Sequence, residues 1–190
     1  MASFCTKQLL LAIATLLFLG KRTQSAASPK YLLDIERFEP CTEFNDTESP
    51  LENVKFLKIN RTARAFFYDT TLKRPLDENI GLKAELEKWG SRGWIQVPFM
   101  ALQPDACNLF RKLLGKMWVD LGAAMGAKEP GKCPLPAGRY SMKNFMYDTS
   151  DLGYFAPFKG KFRYKAILTD MKTGKAVQCI TVVINVTDAA

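Results

Sequence analysis

The sequence predicts a mainly β domain, an antiparallel β-sandwich or β-cup of seven to eight strands with one amphipathic helix. Three observations carry the prediction. Apolar and polar residues alternate with a period of two along most of the chain beyond residue 30, as strands with one buried face require. One stretch, Asp105 to Met125, switches to helical spacing. Turn-forming residues punctuate the chain between these segments, which suits two packed sheets with a single helix.

Tyr31 to Phe38 reads as a first strand, and Thr42 to Asn53 as a polar loop. Val54 to Tyr68 reads as one long strand of mixed alternation. In Asn79 to Trp89, Ile80, Leu82, Ala84 and Leu86 share one face, while Lys83, Glu85 and Glu87 share the other. Gly90-Ser-Arg-Gly93 turns the chain into Trp94 to Met100. The helix follows, with Asp105 as its N-cap and Leu109, Phe110, Leu113, Leu114, Met117, Trp118 and Leu121 on its apolar face. Gly115 weakens that helix from within. Gly131 to Pro136 excludes regular structure. Arg139 to Tyr147 is a strand with Tyr140, Met142, Asn144 and Met146 on one face. Thr149 to Phe158 is an aromatic-rich loop, and Lys161 to Asp170 with Ala176 to Val186 form a hairpin.

The first 27 residues read as a signal peptide that is cleaved. Lys7 precedes an uncharged apolar run, Leu9 to Leu19, too short for the ~20 residues of a bilayer span, and small residues Ser25, Ala26 and Ala27 follow. Residues 28–190 are then a single domain, secreted and extracellular. The formal charge is +8, and removing Lys7, Lys21 and Arg22 with the leader leaves +5. The basic residues are scattered, with no run of five, so nucleic acid is not an expected partner. In Gly160 to Lys165, Phe162 and Tyr164 alternate with Lys161, Arg163 and Lys165 as an amphipathic strand does. A weak attraction to acidic head groups is compatible with that pattern. Three sequons, at Asn45, Asn60 and Asn185, are candidate glycosylation sites.

Cys41, Cys107, Cys133 and Cys179 remain after the leader, an even set that predicts two disulfides. Four cysteines permit three pairings. Cys107 and Cys133 flank the helix and the Gly-Lys-Cys-Pro turn, so a bridge between them would pin the helix, leaving Cys41 and Cys179 to tie the first loop to the last strand. A zinc site is disfavoured because no Cys-x-x-Cys pair is present.

The chain contains no histidine. Ser-His-Asp and Cys-His machinery cannot be built, and the commonest catalytic metal ligand is missing. A hydrolase with two carboxylates needs no histidine, but acids such as Glu85 and Glu87 sit at the polar positions of alternating strands. No catalytic residue, metal or cofactor is expected. The remaining signal is apolar bulk, with thirteen phenylalanines and three tryptophans. The loop Asp151 to Phe158 carries Leu152, Tyr154, Phe155 and Phe158, a set that touches a membrane or a partner if exposed and closes the core if folded back.

The segments Asp105-Ala-Cys107, Cys133-Pro-Leu-Pro-Ala-Gly138-Arg-Tyr140 and the closing Gly-Lys-Phe-Arg-Tyr hairpin ending in Cys179, together with the leader, the early cysteine and the Asn60-Arg-Thr strand, resemble the insect members of the MD-2-related lipid-recognition group. The pattern is most similar to the insect chemosensory CheB-type proteins and, through them, to the GM2 activator. The resemblance spans Tyr31 to Val186. It implies a cup of antiparallel strands around an apolar cavity that holds a lipid without reacting with it, and the pairing Cys41–Cys179 with Cys107–Cys133. This chain has fewer cysteines than the activator, so the ligand is not carried over. The expected activity is a secreted, non-enzymatic binding protein for a lipid or other apolar small molecule, in a pheromone-response setting, with a receptor or membrane surface as a further partner. Expected wall residues are Leu82, Leu86, Trp94, Phe99, Phe110, Leu114, Trp118, Phe145, Phe162 and Val182. The alternative is an extracellular interaction module with a filled core, acting through residues 152–158.

Overall fold

A computed structural model describes residues 31–44, 46–60, 63–148 and 159–188. Two antiparallel sheets face each other. The larger has the order β1-β8-β7-β4-β5, from β1 (Tyr31–Pro40), β8 (Ala176–Asp188), β7 (Gly160–Asp170), β4 (Ile80–Gly90) and β5 (Gly93–Gln103). The smaller has the order β2-β3-β6, from β2 (Leu51–Lys58), β3 (Ala63–Leu72) and β6 (Gly138–Asp148). Two short helices, α1 (Ala106–Leu114) and α2 (Lys116–Ala124), lie against β4 and β6 respectively. The mainly β class is thus the observed one, with eight strands.

The expected single helix is broken at Gly115. Its φ of 53° is open to glycine at little steric cost, and it both ends α1, donating to Arg111 O at 3.0 Å, and starts α2, accepting from Trp118 N–H at 3.1 Å. Asp105 caps α1 as expected, its carboxylate accepting the Asn108 N–H at 3.2 Å. The expected strand Val54 to Tyr68 is a hairpin instead. Asn60 Oδ1 accepts the Ala63 N–H at 2.8 Å, the local side-chain bond by which asparagine turns a chain. The polar loop accordingly ends sooner than expected, with β2 starting at Leu51. In β6, Asn144 takes a φ of 57° and the pairing with β3 slips there. One extra residue reverses the alternation. Tyr140 and Met142 point inward as expected, but Phe145 replaces Met146 on the inner face and Met146 is left 62% exposed.

The disulfides are Cys41–Cys179 and Cys107–Cys133. The first ties the start of the 41–50 loop to β8 across 138 residues, forming a small cluster with Ile167, Phe44 and Ala176. The second, across 26 residues, pins α1 to the turn before β6. Next to that turn, Leu76 and Leu135 exchange backbone hydrogen bonds (2.8 and 3.2 Å), joining the β3–β4 connection to it.

Polar groups join the sheets along the side where β1 and β8 approach β2 and β3. Arg64 on β3 is fully buried and donates to Ile35 O on β1 at 3.2 Å and to Asn60 O at 2.7 Å, and it is ion-paired with Asp34 of β1. Gln178 of β8 donates to Ser49 O at 2.8 Å and to Thr70 Oγ1 of β3 at 3.0 Å. Beyond them, Arg74 pairs with Asp170 and with Glu48 (2.9 Å). The Asp170 carboxylate also accepts the Lys172 and Thr173 N–H groups, and these contacts with Arg74 hold it down at about 2.

Two outcomes follow. Arg64→Ala removes the donor to the buried Ile35 carbonyl and the partner of the Asp34 carboxylate, and it lowers the unfolding free energy by about 3 kcal/mol in chemical denaturation. A carboxylate depressed on folding stabilises above its unfolded value and loses that contribution as pH falls through the folded one. Stability should therefore decline between about pH 4 and pH 2, and Asp170→Asn should flatten that limb in pH-resolved thermal melts.

Candidate functional site

The sandwich is not filled. Between the sheets lies a cavity of about 370 Å³. Its floor on the larger sheet comes from alternate residues of β8 and β7, Gln178, Ile180 and Val182 with Ala166 and Leu168. The facing wall is β3, where Phe66, Tyr68, Thr70 and Leu72 point inward at every second position. Tyr140, Met142 and Phe145 of β6 continue it. Ile35 and Phe38 of β1 and Leu51 of β2 line the side where the sheets meet. Phe110 and Leu114 of α1 and Met117, Trp118, Leu121 and Met125 in and after α2 line the other. Among the described residues, no charged side chain is in this lining.

Aromatic rings give the walls their shape. Phe38 meets Phe66 edge-on at 4.9 Å and lies nearly parallel to Tyr68 at 6.1 Å. Phe110 and Trp118 stack at 5.4 Å with planes 24° apart, so one helix buttresses the other across the Gly115 break. Tyr68 O–H donates to the Met125 thioether at 3.1 Å. Burial disfavours its phenolate and pushes its pKa up to about 12.

Of the ten expected wall residues, Phe110, Leu114, Trp118, Phe145 and Val182 line the cavity. Leu82, Leu86 and Phe162 are buried in the surrounding core without lining it. Trp94 and Phe99 are corrections. β5 is an edge strand whose pairing with β4 shifts twice, so its alternation cannot be carried through from one end. Val97 and Met100 take the inward positions. Phe99 is 54% exposed, touching Tyr164 edge-on at 5.6 Å. Trp94 sits outside, paired with Trp89 at 5.1 Å and covered by the Arg163 guanidinium at 4.7 Å. The unforeseen wall residues, Phe66, Tyr68, Thr70 and Leu72, carried a readable signal, the period-2 run of Ala63–Leu72. Met125 carried one too, lying four residues beyond Leu121 on the helical stripe, whereas Leu76 and Leu135 carried none, because the connections before β4 and β6 bring them in.

That Trp94 surface is a polar groove of about 350 Å³ on the outer side of the larger sheet, reached by Arg37, Glu39, Glu43, Trp89, Arg163 and Lys165. Lys165 holds the Glu43 carboxyl below its ordinary value through a side-chain hydrogen bond, and Arg163 does the same for Glu87. A paired-carboxylate hydrolase needs a general acid whose pKa is raised, and both of these are displaced the opposite way.

Among the described residues no group of histidine, cysteine, aspartate or glutamate is arranged to hold a metal ion. No helix among them is long and apolar enough to cross a membrane. Asn60 is exposed at the β2–β3 turn, whereas Asn185 is half-buried in mid-sheet. The signal peptide, Asn45 and the loop residues Leu152, Tyr154, Phe155 and Phe158 lie outside the described residues.

No family model matches the chain, and no curated protein does. Among solved structures it is similar to a Niemann-Pick type C2 protein from the Japanese carpenter ant. The likeness is 10% in sequence identity, covers 77% of this chain and 96% of that one, and has a TM-score of 0.35.

The Tyr68 phenol gives a direct check on how dry this cavity is. A tyrosine whose pKa rises on folding stabilises the fold below the unfolded value near 10 and loses that contribution as pH climbs towards about 12. Tyr68→Phe should therefore be less sensitive than the parent chain to alkaline destabilisation between those limits, measured as unfolding midpoint against pH.

Proposed function

We propose that this chain is a secreted, non-catalytic carrier that holds a lipid or other apolar small molecule in the cavity between its sheets. One observation carries the reading, an uncharged, mostly apolar cavity of about 370 Å³ in a domain of this size. Ligand pockets begin at ~300 Å³, whereas interiors without a tenant pack almost free of voids. The driving force is desolvation, at ~0.8 kcal/mol for each methylene that leaves water. The interaction module is the weaker reading, because it calls for a filled core. Two disulfides and the apolar leader support an oxidising, extracellular destination. In the chemosensory setting suggested by the sequence pattern, the cargo is a pheromone-like apolar compound and delivery is to a receptor or membrane surface.

The test uses protein secreted from cells, with native mass spectrometry, lipid extraction and titration with a fluorescent fatty-acid probe. A co-purifying lipid and saturable uptake are the expected results. Ala166→Phe adds bulk to the cavity floor, costs about 1–3 kcal/mol through overpacking, and should weaken uptake at least tenfold while the fold persists by circular dichroism. An empty protein that takes up no probe sinks the carrier, and undiminished uptake by Ala166→Phe moves binding away from this cavity.

A further inference from the structure

We infer that the groove on the outer face of the larger sheet is a saccharide site, taking a neutral, hydroxyl-rich sugar with one ring packed on Trp89. The site is separate from the cavity between the sheets.

The groove follows from strand register. One row across the sheet reads Glu87, Arg163, Val183 and Arg37, from β4 through β7 and β8 to β1. The next row holds Lys165, Thr181 and Glu39. Outward side chains are thus long on β7 and β1 but short on β8 between them. A trough of about 350 Å³ results, with Val183 and Thr181 in its lining. Trp89 and Trp94, opposite each other in the β4–β5 hairpin, border it on that side.

These walls are held in place before any ligand arrives. Arg163 is ion-paired with Glu87 and lies over the Trp94 ring at 4.7 Å. Trp89 meets Trp94 edge-on at 5.1 Å and is nevertheless 52% exposed. A tryptophan ring presented in this way is a flat apolar platform beside fixed polar groups.

Charge decides the ligand class. Four cations line the groove, Arg37, Lys161, Arg163 and Lys165. Four carboxylates accompany them. Glu39 and Glu43 are in the lining, and Glu36 and Glu87 pair with Lys161 and Arg163. Lys165 pairs with Glu43. The sum is zero, although Gly160 to Lys165 reads as basic in the sequence alone. A polyanion therefore meets no net attraction and has to compete with carboxylates already seated. A cation faces the converse. A hydroxyl group uses both signs, accepting from arginine or lysine and donating to glutamate. Such charge-assisted bonds are the stronger kind. Side-chain hydrogen bonds from Lys165 and Arg163 hold the Glu43 and Glu87 carboxyls below their ordinary values, so both remain ionised acceptors. Closely spaced hydroxyls on a ring with an apolar C–H face describe a pyranose sugar.

The experiment uses the intact, disulfide-bonded chain, treated with an endoglycosidase to clear any sugar from its own sequons. It is applied to an array of neutral, sialylated and sulfated oligosaccharides. Neutral glycans should be bound, and acidic forms of the same backbone should bind no better. The best neutral glycan is then titrated into protein labelled with ¹⁵N-tryptophan. The indole signals of Trp89 and Trp94 should move saturably while that of Trp118 stays. Trp89→Ala should weaken binding at least tenfold, with an unchanged Trp118 signal to show that the fold persists. Trp89→Tyr, which keeps a ring, should retain most of the affinity. Phosphatidylcholine vesicles with and without glucosylceramide separate two sources of the same chemistry. Co-sedimentation with the glycolipid assigns the groove to a membrane sugar, and binding of soluble glycans alone assigns it to glycans carried elsewhere. An array with no bound glycan, a preference for sulfated forms, or undiminished binding by Trp89→Ala overturns the inference. None of these outcomes touches the carrier reading, whose fluorescent probe should enter Trp89→Ala as it enters the parent chain.

Discussion

Two sheets that share no strand must be held at a set distance, and here buried polar contacts along one side do it. Arg64 reaches from β3 to the backbone and carboxylate of β1, and Gln178 reaches from β8 to Thr70 and Ser49. Hydrogen bonds are directional and short-ranged, so they set a spacing where apolar packing alone would minimise it. The cavity depends on this. With one side of the sandwich pinned, the far side opens enough for α1 and α2 to wedge between β4 and β6.

The wedge is itself stapled. Cys107–Cys133 fixes α1 to the turn before β6, and the stacked Phe110–Trp118 pair carries that fix across Gly115 into α2. Cross-linking constrains the unfolded chain and leaves native packing free to be incomplete. Stability can then come from the ring of apolar residues around the cavity rather than from its centre. The centre forfeits dispersion contacts that a cargo with an apolar body would supply, as the proposed carrier function requires.

Much of the architecture was legible in the residues. The β7–β8 hairpin emerged from strict alternation, with Phe162 and Leu168 buried and Arg163 and Lys165 outside, because a two-residue period leaves little choice once one face is apolar. The helix was legible as a helix, though its break was signalled by nothing more than Gly115. Half of the expected wall residues reached the cavity. The failures cluster where an extra residue shifts the phase, in β5 near Trp94 and Phe99 and in β6 at Asn144. A bulge changes which side every later residue faces, yet leaves almost no mark in composition.

Composition and spacing by themselves determined the antiparallel β class, the absence of histidine chemistry, the cysteines available for two bridges and the apolar character of the inner faces. Those properties belong to residue types and to local periodicity, which a chain carries before it folds. The tertiary structure alone decided that the interior stays open, and that Trp94 faces outward while Phe66 and Tyr68 face in. Each depends on the distance between sheets and on strand phase, quantities set by contacts between residues far apart in the chain.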